Sequence, residues 1–196
     1  MNKFMIFWEI RDYNVTMIYA VLILMVCLII YYSVAKHLNP VPYFPTNSKD
    51  LTKIIKAINL TNDQTVIDFG AGTGKIIFET AKIANEKGLN TQFVAIDINF
   101  ILVLIMLLQR IFHRNKNNIK IVCSDIFKYK LQQIIRQKSM VTIYIYFAPW
   151  INKSVGSLIA RLPRPIKVVS YYYPINNLPL KRKINGEHDI FVYDIK

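Results

Sequence analysis

The stretch that decides the fold is Asp68–Lys75, DFGAGTGK, which directly follows the apolar residues 65–67. Its glycines, Gly70, Gly72 and Gly74, remove side chains at alternate positions, so the backbone can bend sharply and approach a ligand closely. In a parallel α/β sheet, the turn after the first strand usually makes the main ligand contact. The stretch therefore predicts a strand, a ligand-binding turn and a helix.

Two common ligands of such turns are excluded by the residues around the glycines. The dinucleotide fingerprint needs glycine or alanine where Lys75 stands, and a phosphate-binding P-loop needs glycine and a hydroxyl residue where Phe69 and Ile76 stand. The glycine turn therefore predicts a ligand other than a dinucleotide or a phosphate group.

The rest of the chain alternates between strand and helix patterns. We predict a helix to residue 58, a strand over 65–69, a helix over 75–87, a strand over 92–96, a helix over 99–112, a strand over 119–123, a short helix near 127–137, a strand over 141–147, a helix over 152–162, a strand over 166–172, and a hairpin of strands 180–184 and 189–195. The hairpin turns at Asn185-Gly186, a strong turn signal. This order predicts an α/β fold, a Rossmann-like doubly wound sheet with a C-terminal antiparallel hairpin.

Two further acids stand at strand ends. Asp97 lies 23 residues after Gly74, and in dinucleotide folds an acid ~20 residues after the glycine turn binds the ribose hydroxyls. Asp125 follows the next strand, although beside Ser124 it is also typical of a helix cap.

The acid-x-G-x-G-x-G pattern resembles motif I of the seven-strand methyltransferases that use S-adenosylmethionine. The resemblance implies that Asp68 meets the amino group of this cofactor, that the glycine turn and the following helix bind its carboxylate, that Asp97 binds the ribose and that Asp125 contacts the adenine. The predicted cofactor-binding residues are Asp68, Gly70, Ala71, Gly72, Gly74, Asp97, Ile98, Asp125 and Ile126. No metal is expected, because the cysteines and histidines lack ligand spacing.

A narrower resemblance extends over nearly all of residues 41–194. The segments VPYFPT, DFGAGTGKIIFETAK, AIDIN, SDIFKY and GEHDIFVYD are similar to the membrane-anchored protein lysine methyltransferases of ATP synthase subunit c and the adenine nucleotide translocase, and to their prokaryotic relatives. The resemblance implies a transmembrane segment, a catalytic domain and a lysine acceptor in or near a membrane. This sequence departs from the family in its very apolar helix after Asp97 and in the run Tyr171-Tyr172-Tyr173-Pro174.

The segment Met17–Ala35 contains no charged residue and is close to the ~20 residues that span a bilayer. No small-residue cleavage site follows it, which argues against a signal peptide. The predicted organisation is an N-terminal flank (1–16), a transmembrane helix (17–35), a proline-aromatic linker (36–47) and a methyltransferase domain (48–196). The lysines after the helix favour a catalytic domain on the cytosolic or mitochondrial matrix side.

Charge indicates acidic partners. Of the formal net charge of +13, residues 51–196 carry +12, from 21 Lys and Arg against 9 Asp and Glu. Beside a bilayer, such a domain would contact anionic headgroups, and nucleic acid is the other acidic partner to consider. Cys27 and Cys123 lie in different parts of the chain and are not expected to pair.

The end of the fourth strand reads Phe147-Ala148-Pro149-Trp150. Methyltransferases that act on base or amide nitrogen commonly carry Asn or Asp where Phe147 stands, so nucleic acid is the less favoured substrate. We expect Tyr43, Phe147, Trp150 and Tyr171 to form an apolar wall for the alkyl chain of the acceptor. The alternative for each ring is core packing.

The predicted function is methyl transfer to a protein lysine. The alternatives are methylation of RNA or of a small amphiphile, and a non-catalytic membrane scaffold that keeps the fold. The run Phe100–Leu108 leaves a further question open, because a helix there is apolar on every face but too short to span a bilayer. It is either buried between the sheet and a neighbour, or its outer face contacts lipid or the transmembrane helix.

Overall fold

The structure is a computed structural model that describes residues 15–29, 44–135 and 140–196. It divides into two compact units, Met1–Pro42 and Tyr43–Lys196.

In the first unit, residues 15–29 form helix α1, whose side chains are exposed along its whole length. It covers residues 17–29 of the predicted transmembrane segment, while residues 30–35, the flank 1–14 and the linker 36–43 lie outside the described residues. No helix of the described residues is both long and apolar enough to cross a bilayer. The transmembrane helix therefore stays a prediction from the sequence.

The second unit is built on one seven-stranded sheet with the strand order β3-β2-β1-β4-β5-β7-β6. The strands are β1 Gln64–Phe69, β2 Gln92–Asp97, β3 Ile119–Cys123, β4 Met140–Ile145, β5 Ile166–Tyr171, β6 Leu180–Ile184 and β7 Ile190–Ile195. The helices are α2 Leu51–Ile58, α3 Lys75–Glu86, α4 Phe100–Phe112, α5 Leu131–Ile135 and α6 Pro149–Ala160. Strands β1 to β5 pair in parallel, and β7 is antiparallel to both β5 and β6. The predicted Rossmann-like sheet with a terminal hairpin is confirmed.

The hydrophobic core lies on both faces of the sheet. Successive side chains of a strand point to opposite faces, so in β1 Val66 joins the cluster that contains α2, α3 and α4, while Ile67 joins the cluster that contains α5 and α6. The sheet is thus covered on both sides, and ligands must bind at the carboxyl ends of its parallel strands.

Two predicted helix starts are corrected by the structure. The helix predicted near 127–137 begins only at Leu131, because the Asp125 carboxylate accepts the Phe127 N–H and forms a turn first. The helix predicted over 152–162 begins earlier, at Pro149, since proline lacks the N–H that the first turn of a helix leaves unpaired. Strand β4 accordingly ends at Ile145.

The exposure of helix α4 tests whether this apolar helix is buried between the sheet and a neighbour. Only Val103 and Met106 are buried, and they face the sheet. The alternative of burial between the sheet and a neighbour does not hold for the outer face, which is exposed among the described residues, and contact of this face with lipid or with the transmembrane helix stays a prediction.

The start of α2 is fastened to the hairpin turn by one buried carboxylate. Asp50 is 1% exposed, and it accepts the N–H groups of Glu187 at 2.8 Å and His188 at 2.9 Å. The Tyr171 hydroxyl donates to the same carboxylate at 2.8 Å. A Cβ on Gly186 would lie 2.2 Å from Asp50 Oδ1, so the turn needs glycine there. Asp50 therefore joins α2, β5 and the hairpin.

The pKa of Asp50 is lowered although the carboxylate is buried. Burial would raise the pKa, but the hydrogen bonds from His188, Glu187 and Tyr171 outweigh burial and lower the pKa below 3.8. A carboxyl whose pKa is lowered by folding stabilises the protein above its unfolded pKa, and this stabilisation is lost as the pH falls through the folded pKa.

We predict that Asp50→Asn costs about 3 kcal/mol of unfolding free energy at neutral pH, because buried donors lose a charged acceptor. The measurement is urea unfolding of the purified protein. The difference from wild type should shrink in acid, below the ordinary pKa of a carboxyl group, where wild type also loses the charge.

Asp189→Asn is the matched control for this substitution. Asp189 pairs with Lys183 at 2.7 Å on the surface, and both side chains are largely exposed. Such pairs contribute less than about 1 kcal/mol. Equal costs for the two variants would contradict the role of Asp50.

Candidate active site at the glycine turn

Hydrogen bonds connect the turn between β1 and α3 to the end of β2. Gly70 and Ala71 both donate their N–H groups to the carbonyl of Ile96, at 2.9 and 3.0 Å. Gly72 donates to the Asp97 carboxylate at 2.7 Å, and Gly74 donates to the carbonyl of Ala71 at 2.8 Å. All three glycines have positive φ, which a side chain would strain.

Two of the glycines make room for aromatic rings of the protein itself. A Cβ on Gly70 would lie 2.6 Å from the ring of Phe147, and one on Gly74 would lie 2.6 Å from the ring of Phe78. Besides the sharp bend and the close approach to a ligand that the sequence predicts, Gly70 and Gly74 therefore also serve packing within the domain.

The N–H groups of the turn are largely used by protein acceptors, so they cannot all bind a cofactor carboxylate. The first turn of α3, residues 75–77, carries N–H groups that have no acceptor within the helix. A helix N-terminus also favours an anion through its dipole. Of the two parts of the predicted carboxylate site, the glycine turn and the start of α3, the start of α3 has the N–H groups that the helix itself leaves without acceptors, and the site stays a prediction.

Asp68 lies at the end of β1, 3% exposed, at a cavity of about 30 Å³. The glycine turn, residues 44–46, Tyr144 and Tyr146 line the same cavity. Within the part of the chain that the structure describes, the Asp68 carboxylate receives no hydrogen bond. Burial, and secondly the charge of Asp97, raise the pKa of Asp68 well above 3.8.

A buried carboxylate without a donor needs a cation to stay ionised. The space beside Asp68 is large enough for a small polar group, since one water needs about 10–15 Å³. The ammonium of an amino acid tail would supply both the charge and the donors that the protein leaves out. The residues around Asp68 therefore fit the methionine end of S-adenosylmethionine.

Asp97 has a structural role that the sequence did not predict. Its carboxylate accepts the N–H of Gly72 at 2.7 Å and that of Asn99 at 2.8 Å, and it is 7% exposed. Burial raises the pKa of Asp97, while the N–H groups of Asn99 and Gly72 oppose the rise. Each carboxylate oxygen has a further lone pair, so hydrogen bonds from ribose hydroxyls remain compatible with this geometry.

Asp125 lies close to Asp97 at the end of the neighbouring strand, because Ser124 donates to the carbonyl of Asp97 at 2.9 Å. Its carboxylate accepts the N–H of Phe127 at 2.9 Å and forms a turn, whereas the next helix begins only at Leu131, so the helix-cap alternative for Asp125 is wrong. Ile98 is exposed between the two acids, whereas Ile126 is buried in the core. The structure thus brings Asp68, Asp97 and Asp125 to one edge, on three adjacent strands.

The predicted acceptor residues are only partly brought together. Tyr43 lies outside the described residues. Phe147 packs on Gly70, and Trp150 is 66% exposed in the first turn of α6. Tyr171 does not line the opening: it is fully buried and its hydroxyl binds Asp50. Its prediction as an acceptor residue is corrected, since its ring belongs to the core.

Four rings outside the predicted set of acceptor residues continue from the cavity to the hairpin turn. Phe44 contacts Tyr146 with 6.4 Å between ring centroids, and Tyr172 stacks on His188 at 4.0 Å. The buried ring of Tyr171 contacts both Tyr146 and His188 and joins the two pairs. Tyr172 has φ of 71°, which is strained for a large residue and typical of functional sites. In the sequence, the tyrosine run 171–173 and the segment GEHD, residues 186–189, were the features that could have pointed to Tyr172 and His188.

Lys75 fixes the segment in front of the cavity. Its amine donates to the carbonyl of Thr46 at 2.9 Å and to the Ser48 hydroxyl at 2.7 Å. The hydroxyls of Thr46 and Tyr144 are hydrogen-bonded at 3.1 Å. Lys75 thus holds residues 44–48 against the glycine turn. This role differs from the phosphate binding of the P-loop lysine that it resembles in sequence.

Comparison with known proteins supports the same class. A family model described as "Putative methyltransferase" matches residues 62–155, slightly less than half of the chain. An RNA methyltransferase from Salinibacter ruber, solved with S-adenosyl-L-homocysteine, superposes with a TM-score of 0.65 at 18% identity, over 78% of this chain and 94% of that one. No curated protein sequence matches the chain.

Two further structures share the fold at lower identity. TrmK from M. capricolum, solved with S-adenosyl-homocysteine, has a TM-score of 0.53 at 15% identity, over 78% of this chain and 69% of that one. An S-adenosylmethionine-dependent O-methyltransferase from Thermotoga maritima has a TM-score of 0.57 at 11% identity, over 79% and 68%. The chain has the Rossmann-like fold of these methyltransferases, and S-adenosyl-L-methionine is the cofactor that the comparisons support, as the sequence predicts.

We predict that Asp68→Asn weakens binding of S-adenosylmethionine by roughly 10- to 100-fold, the value of a charge-assisted hydrogen bond. Calorimetric titration of the full chain measures this. Asp63→Asn is the control, because Asp63 is exposed and directly precedes the first residue of β1. This variant should bind S-adenosylmethionine with the affinity of the wild type. An unchanged affinity in Asp68→Asn would contradict the site.

The same substitution should stabilise the ligand-free protein at neutral pH. The folded pKa of Asp68 lies above its unfolded value of 3.8, so stability falls as the pH rises from 3.8 through the raised pKa. An amide does not titrate, and its variant lacks this fall. Melting temperatures of the two proteins should therefore be similar in acid and separate as the pH rises.

Proposed function

We propose that the chain is a methyltransferase that transfers the methyl group of S-adenosylmethionine to a lysine side chain of a membrane or membrane-associated protein. The observation that carries this proposal is the composition of the opening beside Asp68. Phe44 and Tyr146 present rings there, and the ring of Phe147 packs on Gly70 of the lining. Among the described lining residues the one cation, Lys75, is held by Thr46 and Ser48. Rings beside an opening that also contains the Asp68 carboxylate fit an alkyl chain that ends in an amine.

Residues at the edge of the sheet would hold the cofactor. Asp68 would bind its ammonium, the start of α3 its carboxylate, and Asp97 its ribose hydroxyls, with Ile98 and Asp125 beside the adenine. When bound, S-adenosylmethionine supplies an electrophilic methyl group on a sulfonium. The protein then has to align an acceptor nitrogen with that methyl group and to exclude water.

The rings have two tasks in this proposal. Their faces attract the lysine ammonium on entry, a contact that contributes ~0.5–2 kcal/mol. Their apolar surroundings then favour loss of the proton, because desolvation destabilises a charged amine relative to a neutral one. Burial raises the pKa of the Tyr146 hydroxyl, with Tyr173 and Tyr172 adding to it, so this hydroxyl stays neutral beside the acceptor.

RNA is the second candidate acceptor, and two observations favour it. The Salinibacter ruber protein with the same fold is an RNA methyltransferase. A cleft on the α2 side of the sheet is lined by the cations Lys56, Lys167, Lys181 and Arg182, with a single acid, Asp194. Such a cleft suits a phosphate backbone, and exposed rings can stack on bases.

Location in a membrane is a separate part of the proposal. It rests on the apolar segment 17–35 and on the net charge of +12 over residues 51–196. The catalytic domain would then face the cytosol or the mitochondrial matrix.

The experiment that separates the two acceptors uses the full chain with labelled S-adenosylmethionine. It is incubated with membranes and, in parallel, with total RNA from the same cells. We expect label in a membrane protein, recovered as methyl-lysine after acid hydrolysis. Label in RNA alone would replace the lysine assignment by the second candidate. If neither fraction is labelled although the protein binds the cofactor, the result would support the alternative that the chain is a non-catalytic scaffold.

We predict that Tyr146→Ala lowers kcat/KM for the acceptor roughly 3- to 30-fold, the value of a cation–π contact, while the affinity for S-adenosylmethionine is kept. Tyr146→Phe keeps the ring and should retain most of the activity. Equal losses in both variants would assign the role to the hydroxyl instead. Asp68→Asn, which acts on the cofactor, should lose cofactor affinity in the same assays.

A further inference from the structure

Helix α4 presents an unusual apolar face to solvent. Phe100, Leu104, Leu108 and Phe112 recur every fourth residue, and these side chains are 66%, 44%, 55% and 86% exposed. Residues four apart lie on the same side of a helix, so they form one stripe. Ile101, Leu107 and Ile111 widen this stripe and are also exposed.

This face is larger than stability of the domain requires. Val103 and Met106 already pack the inner side of α4 against the sheet. The helix has 13 residues and is about 20 Å long, so the stripe runs along its full length. Proteins rarely expose continuous apolar surface of this extent unless it contacts a partner or a membrane.

The charges around the stripe select among these partners. Residues 98–124 contain four basic residues, Arg110, Arg114, Lys116 and Lys120, and no acidic residue. They lie in the last turn of α4, in the segment that follows and in β3, and Arg114, Lys116 and Lys120 are exposed. An apolar face beside an exclusively cationic flank is complementary to an anionic bilayer surface.

We propose that the outer face of α4 lies in the interface of an anionic lipid bilayer, with its side chains at the level of the upper acyl chains and the flanking cations at the headgroups. This contact is distinct from the predicted transmembrane segment, although the apolar residues 17–35 of the same chain favour lipid as the occupant. It does not depend on methyl transfer, and either proposal can fail without the other.

The contact has a consequence for the active site. The exposed Ile98 continues the apolar stripe towards Asp97, and α4 itself begins one residue after Asn99. The membrane face therefore reaches the edge of the sheet that carries the three acids. An acceptor close to the bilayer surface is brought to this edge without further movement of the domain.

The test places an environment-sensitive fluorophore on α4 of the full chain. Cys27 and Cys123 are replaced by serine, and Leu108→Cys carries the label. The protein is reconstituted in vesicles of phosphatidylcholine with phosphatidylglycerol, with and without brominated acyl chains. Lys153→Cys, exposed on α6 at the other face of the sheet, is the matched control position.

We expect a blue-shifted emission at position 108 and quenching by brominated lipid, with neither at position 153. A label at 108 that is shielded from aqueous quenchers but not quenched by brominated lipid would overturn the proposal, since another segment or a second copy of the chain would then cover the stripe. Emission typical of water at both positions would also overturn it.

A second pair of variants tests the charges separately from the apolar face. With the label at position 108, Lys116→Gln with Lys120→Gln should reduce lipid quenching in the anionic vesicles and leave it unchanged in vesicles of phosphatidylcholine alone. Lys82→Gln with Lys87→Gln, exposed lysines at α3, is the control pair and should have no effect. Equal losses from both pairs would exclude a specific cationic flank.

Discussion

The structure depends on the attachment of the glycine turn to the end of β2. Gly70 and Ala71 share the carbonyl of Ile96, and Gly72 binds the carboxylate of Asp97. These hydrogen bonds fix where α3 starts and therefore where its unpaired N–H groups point. They also fix the position of Asp68 beside the cavity. A loose turn would leave neither an anion site nor a defined place for the ammonium.

Two buried carboxylates on this framework show how environment separates structural from functional acids. Asp50 accepts hydrogen bonds from Glu187, His188 and Tyr171, and its pKa is lowered despite burial. Asp68 is similarly buried but lacks such donors in the described part of the chain, and its pKa is raised. Asp50 holds the hairpin in place. An ionised Asp68 is energetically unfavourable in its buried position unless a cation binds beside it.

Much of the fold and part of the site could be predicted from local sequence. Alternating strand and helix patterns gave the order of elements, and β3 was predicted with its observed bounds. Asp68, Asp97 and Asp125 follow parallel strands, which end at one edge, so their proximity could be inferred. Tyr171 could not be placed correctly, because its partner Asp50 lies 121 residues away in the chain. The hydrogen bond from the Gly72 N–H to Asp97 was hidden for the same reason, since these two residues lie on different elements.

The sequence by itself determined the doubly wound sheet, the glycine turn and the class of cofactor, because each is encoded in residues that are neighbours along the chain. Only the tertiary structure decided which rings line the opening, which glycines serve packing, and that the outer face of α4 is uncovered. These properties depend on contacts between residues far apart in sequence. Side-chain type sets what a residue can do, but the packing of distant elements decides whether it is buried, bonded or exposed.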